Sequence, residues 1–247
     1  MRFCLTLKLK ECNLPLDYRR IMLSYIKNAI SKCNGGKYYQ KYFKDTIQKD
    51  YSFSVVLQKP TFTMDKIKLN SNEIKILFST EDKSKTGLIL FSAFIAQKGN
   101  TYPLPNNNSM VLIHIESQKE EYILNSKAIF KTTTGSGLCV RDHEKETNRD
   151  NYYIFSDDKF REKLQVVLTN QAIQAGFSKE EALDIKVNPI QCRKVVVKHY
   201  GIYIDTTVGM LEIQGKSSIL QHLYNAGIGS RKSGGFGMID LVTQDLV

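Results

Sequence analysis

Apolar residues alternate with other residues at the start of the chain. Phenylalanine and leucine occupy every second position over residues 3–9, with cysteine, threonine and lysine between them. This alternation predicts a β-strand with one buried face. Asp17 can then cap a helix whose apolar positions, over residues 18–30, follow a period near 3.6. The glycines at positions 35 and 36 are predicted to end this helix.

Further strand-like runs and a second helix complete the first half of the chain. Strands are predicted over residues 51–57, 61–69, 73–78 and 110–115, and a short helix over residues 88–95. The resulting order of strand, helix, strands, helix and strand is that of the ferredoxin-like βαββαβ fold with an added hairpin.

The second half of the chain repeats this order. Its strands are predicted over residues 128–140, 152–155, 195–203, 208–213 and 238–242. Its helices are predicted over residues 158–175 and 219–226, and a capping box of Ser178 and Glu181 begins one more turn. The chain is therefore predicted to be an α+β protein of two tandem ferredoxin-like (RRM-like) domains packed side by side. Topology alone places the N-terminal domain at residues 1–122 and the C-terminal domain at residues 123–247.

Composition adds a preference for a polyanionic partner. The 247 residues include 35 Lys and Arg against 25 Asp and Glu, a formal charge of +10. An excess of this size is rarely needed by an enzyme of small molecules and favours nucleic acid. The basic residues lie in segments with periodic apolar positions, so they are expected on folded surfaces rather than in a disordered arm.

Cysteine usage and hydropathy predict the cellular setting. The five cysteines are odd in number and form no C-x-x-C pair, which fits a reducing interior and gives no zinc pattern. No stretch reaches the roughly 20 apolar residues of a membrane span. The sequence therefore predicts a cytoplasmic protein with no membrane association, no metal site and no cofactor.

The most informative stretch is residues 227–237, which we call the glycine-rich segment. It holds five of the 15 glycines in 11 residues. Glycine permits positive φ and close backbone approach, so successive N–H groups can converge on a phosphate, with Arg231 and Lys232 adding charge at the tip. Neither the P-loop nor the dinucleotide pattern is present. A helix cap at Gly227 followed by a flexible hairpin is the alternative.

The pattern of this segment is glycine, apolar, glycine, five residues, and the same triplet again. It resembles the signature of the CRISPR-associated Cas6 family of repeat-RNA processing endoribonucleases. The first strand followed by residues 14–16 and a helix, and the strand at residues 51–54, are also similar to that family. The resemblance implies a metal-independent endoribonuclease that binds CRISPR repeat RNA, as precursor and as mature crRNA. It also implies cleavage by 2′-hydroxyl attack, which leaves a 2′,3′-cyclic phosphate and a 5′-hydroxyl.

The resemblance implies that the glycine-rich segment contacts the RNA. The residues expected to do so are Gly227, Gly229, Arg231, Lys232, Gly234, Gly235 and Gly237. Lys194, Lys198 and His199 lie on a β-rich segment and are further candidates for phosphate contact. A solvent-exposed sheet face explains His199 nearly as well.

Cleavage of this kind needs a proton acceptor, a proton donor and a group that stabilises charge on the phosphorus. Many Cas6 family members have a histidine shortly after the first helix, but residues 37–45 contain none, and Lys44 lies nearest to the matching place. Tyr42 is a further candidate there. Together with the tyrosines at 38 and 39, it either stacks on bases or covers an edge of the core.

His143 is the candidate catalytic histidine, because the unperturbed pKa of histidine, near 6.5, suits proton transfer. It lies in a polar segment that is predicted to be a loop between two strands. Arg141 and Lys145 could stabilise charge beside it, and Asp142 or Glu144 could orient the ring. A solvated charged turn explains this segment equally well.

Of the other two histidines, His114 lies inside an apolar strand and is expected to be a satisfied core or sheet-face residue. For His222, on the helix before the glycine-rich segment, helix packing and a place close to the RNA both stay open. Ser136 lies between glycines but lacks the G-x-S-x-G elbow, so no hydrolase triad is predicted.

A second function stays open. The missing histidine after the first helix favours a non-catalytic RNA-binding subunit of a CRISPR effector ribonucleoprotein, with other effector subunits as partners. An RNA-recognition module outside this system is disfavoured because the aromatic RNP1 consensus is absent. The expected oligomeric state is a monomer or a homodimer.

Overall fold

The structure is a computed structural model that describes residues 1–43, 49–144, 146 and 148–245. The first half of the chain contains β1 (Arg2–Leu9), β2 (Asn13–Pro15), α1 (Tyr18–Lys32), a 3₁₀ turn (Cys33–Gly36), α2 (Tyr39–Phe43), β3 (Tyr51–Leu57), β4 (Thr61–Phe62), β5 (Lys66–Lys68), β6 (Glu73–Thr80), α3 (Thr86–Ile95), β7 (Thr101–Pro103) and β8 (Ser109–Ser117). The second half contains β9 (Lys127–Thr132), β10 (Val140–Glu144), β11 (Arg149–Tyr153), α4 (Phe160–Gln174), α5 (Lys179–Leu183), β12 (Lys186–His199), β13 (Ile202–Gln214), α6 (Ser217–Ala226), a 3₁₀ turn (Lys232–Gly234) and β14 (Ile239–Thr243).

Two antiparallel sheets have the same topology. The first has the order β3-β6-β1-β8-β7, and the second has the order β12-β13-β9-β14. In each sheet the first strand of a βαββαβ unit (β1 or β9) lies between the third (β6 or β13) and the fourth (β8 or β14). The second strand of the unit (β3 or β12) lies at the edge of the sheet. The predicted α+β class with tandem ferredoxin-like domains is confirmed.

Each sheet has its own apolar core. In the first, Phe3 of β1 stacks on Phe78 of β6 with ring centroids 4.9 Å apart, and Phe94 of α3 lies against both. In the second, Phe130 of β9 and Leu223 of α6 are fully buried. The first core draws its fully buried residues from positions 3–112 and the second from positions 123–239. A join near residue 122 stays a prediction.

Three strand predictions were wrong in extent. Residues 128–140 do not form one strand, because β9 ends at Thr132 and a loop runs to β10. Gly135 in this loop has φ +82°, and a Cβ there would lie 2.0 Å from the carbonyl oxygen of Val55 on β3. Residues 61–69 are likewise divided, into the short strands β4 and β5.

The third wrong strand prediction is the run over residues 195–203, because β12 ends at His199, β13 begins at Ile202, and the two strands form one long hairpin. They pair continuously from Lys186↔Gln214 to His199↔Ile202, with an irregularity after Pro189. The turn is Tyr200-Gly201, and both residues have positive φ, 51° and 81°. This is the conformation that a two-residue type I′ hairpin requires.

The two domains contact each other through polar groups that reach across from the first sheet. Arg2 Nη2 donates to the carbonyl oxygen of Ile239 at 3.0 Å and to Asp240 Oδ1 at 2.9 Å. Ser79 Oγ donates to the carbonyl oxygen of Tyr224 at 3.2 Å. These bonds are part-buried or buried, so they hold the second domain in one orientation on the first. Among the described residues, no helix has the length and apolar character to span a bilayer.

Candidate active site and interdomain cleft

His143 lies on strand β10, not in the predicted loop. The hairpin of β10 and β11 pairs His143 directly with Asp150, and His143 Nδ1 lies 2.9 Å from Asp150 Oδ1. Asp150 therefore orients the ring, the role that was expected of Asp142 or Glu144. Asp142 instead accepts a hydrogen bond from Lys163 at 2.7 Å.

The carboxylate of Asp150 is shared by several donors. Arg141 Nη1 lies 3.1 Å from both of its oxygens, Arg231 Nη2 lies 3.0 Å from Oδ2, and the Tyr152 hydroxyl lies 3.3 Å from Oδ2. Partial burial raises the pKa of Asp150, but the hydrogen bonds from His143 and Arg141 and the two arginine charges outweigh it and lower that pKa to about 2. Asp150 is therefore ionised at neutral pH. We call these five residues the Asp150 cluster.

The Asp150 cluster joins residues that the sequence singled out for different reasons. His143 and Arg141 were catalytic candidates, and Arg231 was a candidate RNA ligand. Arg231 reaches the cluster from a backbone with φ +57°, and its Nη2 also donates to the Tyr152 hydroxyl at 2.7 Å. Sequence reasoning missed Asp150 and Tyr152. No local pattern marked them, since their place beside His143 and Arg231 depends on the pairing of residues 140–144 with residues 149–153.

The backbone amides of the glycine-rich segment are engaged within the protein, so the predicted phosphate cradle is wrong for most of them. The amide of Ile228 donates to Gly237 O at 2.8 Å, and the amide of Gly237 donates to Gly137 O at 2.9 Å. Gly229 donates to Gln171 Oε1 at 2.9 Å. Gly234 donates back to Arg231 O at 2.8 Å. The amides of Gly227 and Gly235 also have backbone partners.

Close packing explains the glycines instead. A Cβ at Gly237 would lie 1.8 Å from Ile228 O, and one at Gly227 would lie 2.6 Å from Ser52 Oγ on β3. A Cβ at Gly235 would lie 3.1 Å from the ring of Phe53. The glycine-rich segment thus packs on itself and against the N-terminal domain. This arrangement is neither a phosphate cradle nor a flexible hairpin.

Lys232 is buried, whereas the sequence placed it at an exposed tip. Its side chain is 5% exposed. Burial lowers its pKa to about 7, against a smaller opposite effect of the Asp50 charge. A lysine in this position is enclosed by protein and does not present its charge to solvent.

His199 is also buried, at 3% exposure, so the prediction of an exposed sheet face is wrong. Its ring lies edge-on to Phe236, with centroids 5.2 Å apart. Burial, followed by the charges of Arg231 and Arg19, lowers the pKa of His199 to about 4. The imidazole is neutral at pH 7 and enclosed by protein, which does not fit the expected phosphate contact.

Lys194 and Lys198 lie on the long hairpin with solvent access. Lys194 Nζ lies 2.6 Å from Asp205 Oδ2, and Lys198 Nζ lies 5.7 Å from the ring centre of Tyr203. Both positions are compatible with the phosphate contacts that the sequence suggested, which stay predictions.

A cleft of about 660 Å³ lies between the domains. Its walls are the start of α1, the loop at residues 132–137 and the long hairpin. Arg19 lines it and donates to Gly135 O at 2.9 Å and to Gly235 O at 3.4 Å. Exposed aromatic rings stand at its edge, with Tyr203 66% and Phe62 63% exposed, beside the basic residues Arg193 and Lys198. Cations next to exposed aromatic rings are typical of surfaces that bind single-stranded nucleic acid.

The residues after the first helix do not form a second catalytic cluster in the part that is described. Tyr42 is 2% exposed, and its hydroxyl lies 2.9 Å from Thr86 Oγ1. Burial raises the pKa of Tyr42 to about 12, against a smaller opposite effect of that hydrogen bond. It is a core residue, so the catalytic and stacking predictions for it are wrong. Lys44 and Lys145 lie outside the described residues.

The remaining candidates are structural. Tyr38 and Tyr39 pack against the first core, which supports the core-edge alternative. His222 is buried with its Nδ1 3.1 Å from Glu81 Oε2, as expected of a packing residue. His114 lies on a sheet face but is exposed, 3.7 Å from Glu116. Within the described ranges, no group of histidine, cysteine and carboxylate side chains could hold a metal ion.

Solved structures share this fold over the whole chain. A Cas6-related protein from Pyrococcus furiosus has a TM-score of 0.80 at 18% identity, covering 99% of each chain. A RAMP protein binding different RNA substrates also has a TM-score of 0.80 at 18% identity, covering 98% of this chain and 100% of that one. A Cas6 product complex has a TM-score of 0.68 at 14% identity, with coverage of 98% and 100%.

Sequence comparison gives the family. No curated protein matches the chain significantly. The family model for the C-terminal part of the CRISPR associated protein Cas6 matches residues 116–241, which is more than half of the 247 residues and includes both the Asp150 cluster and the glycine-rich segment. The chain therefore belongs to the Cas6 family, whose members process or bind CRISPR repeat RNA.

Proposed function

We propose that this protein binds CRISPR repeat RNA and cuts it, without a metal ion, at the Asp150 cluster. The RNA is supported by the family and by the structural likeness to a RAMP protein binding different RNA substrates. One observation carries the catalytic part: His143 Nδ1 lies 2.9 Å from Asp150, and two arginines lie on the same carboxylate. A histidine held by a carboxylate supplies the proton acceptor that the transesterification needs, and the two cations beside it supply the charge stabilisation.

The chemistry follows from the geometry of the histidine. In the neutral imidazole with Nδ1–H donating to Asp150, the other ring nitrogen Nε2 is the proton acceptor and can take the proton of the ribose 2′-hydroxyl. The 2′ oxygen then forms a bond to phosphorus, and the bond from phosphorus to the 5′ oxygen breaks. Asp150 stabilises the imidazolium, while Arg141 and Arg231 offset charge on the phosphoryl oxygens. The 5′ oxygen leaves with a proton taken from solvent.

The cleft and the cluster are joined by the glycine-rich segment. Arg19 of the cleft donates to Gly235 O of this segment at 3.4 Å, and Arg231 of the same segment reaches Asp150. Both arginines also lie close enough to His199 to lower its pKa. A single RNA strand that occupies the cleft and follows the glycine-rich segment would bring a phosphate to the cluster.

The test is cleavage of a labelled repeat RNA by purified protein in EDTA. A single cut that leaves a 2′,3′-cyclic phosphate is expected. His143→Ala should abolish the cut and leave RNA binding in place, since both arginines of the cluster remain. His114→Ala is the matched control, because His114 is an exposed histidine on the first sheet. If His143→Ala still cuts at the normal rate, the assignment of His143 is wrong.

The second candidate is a non-catalytic RNA-binding subunit, and one observation favours it. Tyr42, the described catalytic candidate after the first helix, is enclosed in the core, so the cluster must act without it. Retained binding of repeat RNA with no cleavage under any divalent-ion condition would decide for this function.

A further inference from the structure

Asp150 serves two different sets of partners in the Asp150 cluster. It holds the ring of His143, and it neutralises the guanidinium groups of Arg141 and Arg231. A guanidinium group recognises carboxylate and phosphate with the same planar geometry. The Asp150 carboxylate therefore occupies the positions on both arginines that a phosphate would take.

The arginines are accessible to such an exchange. The exposed fractions of the side chains are 37% for Arg141 and 25% for Arg231, against 22% for Asp150. Arg231 Nε is buried and has no hydrogen-bond partner in the described part of the protein, so Asp150 does not fully satisfy this guanidinium. All three side chains reach solvent, so an incoming phosphate can approach the guanidinium groups and exchange with the carboxylate.

We propose that Asp150 is an internal competitor of RNA phosphate for Arg141 and Arg231. In the free protein the carboxylate masks both cations. When an RNA phosphate takes the arginines, Asp150 keeps its hydrogen bonds to His143 and to the Tyr152 hydroxyl. Arrival of the RNA thus releases the cations and leaves the His143–Asp150 pair in place. The role of this exchange in cleavage rests on the proposed function, whereas the competition for phosphate does not.

Asp150→Asn tests the competition, because it removes the charge and keeps the shape. The probe is oligouridylate, which reports phosphate contact without repeat recognition, measured by fluorescence anisotropy over a range of salt concentrations. The variant should bind more tightly than the wild type at low salt. Its affinity should also fall more steeply with salt, by about 0.7 in the log–log slope for each freed arginine, or roughly 1.4 for both.

Glu181→Gln is the matched control. Glu181 lies on α5 and pairs with Lys216 at 2.5 Å, so the substitution makes the same change in net charge and also frees a cation. Glutamine retains the capping function at this position. Equal gains in oligouridylate affinity in the two variants would mean that the effect comes from net charge alone. This result would overturn the proposal. Unchanged or weaker binding by Asp150→Asn, with an unchanged slope, would overturn it as well.

Further variants separate competition from misfolding. Asp150→Ser removes the charge with a smaller side chain and should give the same steeper slope if the asparagine variant does not fold. In the Arg231→Gln background, Asp150→Asn should raise the slope by only about 0.7, because one arginine remains to be freed. An undiminished gain in that background would show that Arg231 is not the released cation.

Cleavage assays distinguish this proposal from the proposed function. On repeat RNA, Asp150→Asn should bind more tightly and cut at least tenfold more slowly, because His143 loses its carboxylate. Failure of the wild type to cut would overturn the proposed function and leave the oligouridylate result intact. A cutting wild type whose Asp150→Asn variant gains no affinity would overturn the competition alone.

Discussion

Replacement of Lys232 by methionine should stabilise the protein. The lysine is 5% exposed, and burial lowers its pKa to about 7, so folding moves an ammonium group out of water. A free lysine has a pKa of about 10.4. Methionine keeps the apolar stem of the side chain and removes the charge. Because the uncharged side chain carries no such desolvation cost, the unfolding free energy should rise.

The size of the effect follows from the two pKa values. Each pKa unit corresponds to about 1.4 kcal/mol, so a fall from about 10.4 to about 7 costs roughly 4 kcal/mol at pH 7. Part of this free energy is offset by relaxation of the structure around the methionine side chain. We expect Lys232→Met to raise the unfolding free energy by about 2–4 kcal/mol at pH 7.

The pH dependence has a definite sign. Above pH 7 the folded state loses the Lys232 proton while the unfolded state keeps it up to pH about 10.4, so the unfolded state binds more protons. The wild type should therefore gain about 1.5 kcal/mol between pH 7 and pH 8.5 from this group, and the variant should lack that gain. Comparing variant with wild type cancels the thiols and tyrosines that titrate at higher pH.

Urea denaturation at the two pH values measures both effects. Lys186→Met is the control, because Lys186 is exposed, and it should leave the unfolding free energy within about 0.5 kcal/mol. A less stable Lys232→Met protein, or one with the pH dependence of the wild type, would refute the reasoning. Either result would mean that the ammonium has a strong partner that compensates for its burial.

Two further substitutions test the packing around the glycine-rich segment. Gly237→Ala should lower the unfolding free energy by more than about 3 kcal/mol, because its Cβ would lie 1.8 Å from Ile228 O. Gly99→Ala is the control, since Gly99 has φ +80° and its Cβ would have nothing within 4 Å. It should cost only the roughly 1–2 kcal/mol of a left-handed alanine. The pKa of His199 is lowered to about 4, so below pH 6.5 this residue binds more protons in the unfolded state than in the folded state. Through His199, wild-type stability should therefore fall by about 2 kcal/mol between pH 7 and pH 4.5. His199→Gln should reduce that fall in the same urea assay.

The fold could be predicted because both halves have strong local periodicity. The alternation in β1 and the helical period in α1 are properties of adjacent residues, and they placed these elements nearly at their observed bounds. The end of β9 at Thr132 could not be predicted in this way. The loop that follows it packs Gly135 against Val55, a contact between residues far apart in the sequence.

The candidate site divides in the same manner. His143 and Arg141 could be chosen from residue type and from a polar segment between strands. Asp150 could not, because its role depends on the pairing register of β10 with β11. The burial of Lys232 and His199 depends on how the two domains meet, and no local pattern in the sequence reports that.

The glycine-rich segment shows why a correct pattern gave a partly wrong mechanism. Glycine is required both where backbone amides bind an anion and where two pieces of backbone approach closely, so the sequence cannot separate the two cases. The hydrogen-bond partners of the amides separate the two cases. The amide of Ile228 donates to Gly237 O, and the amide of Gly237 donates to Gly137 O. The amides that are already bonded are not free for a phosphate, so the expected RNA contact of this segment is the side chain of Arg231. A glycine variant that loses RNA binding would accordingly lose it through displacement of Arg231, and its unfolding free energy would fall at the same time.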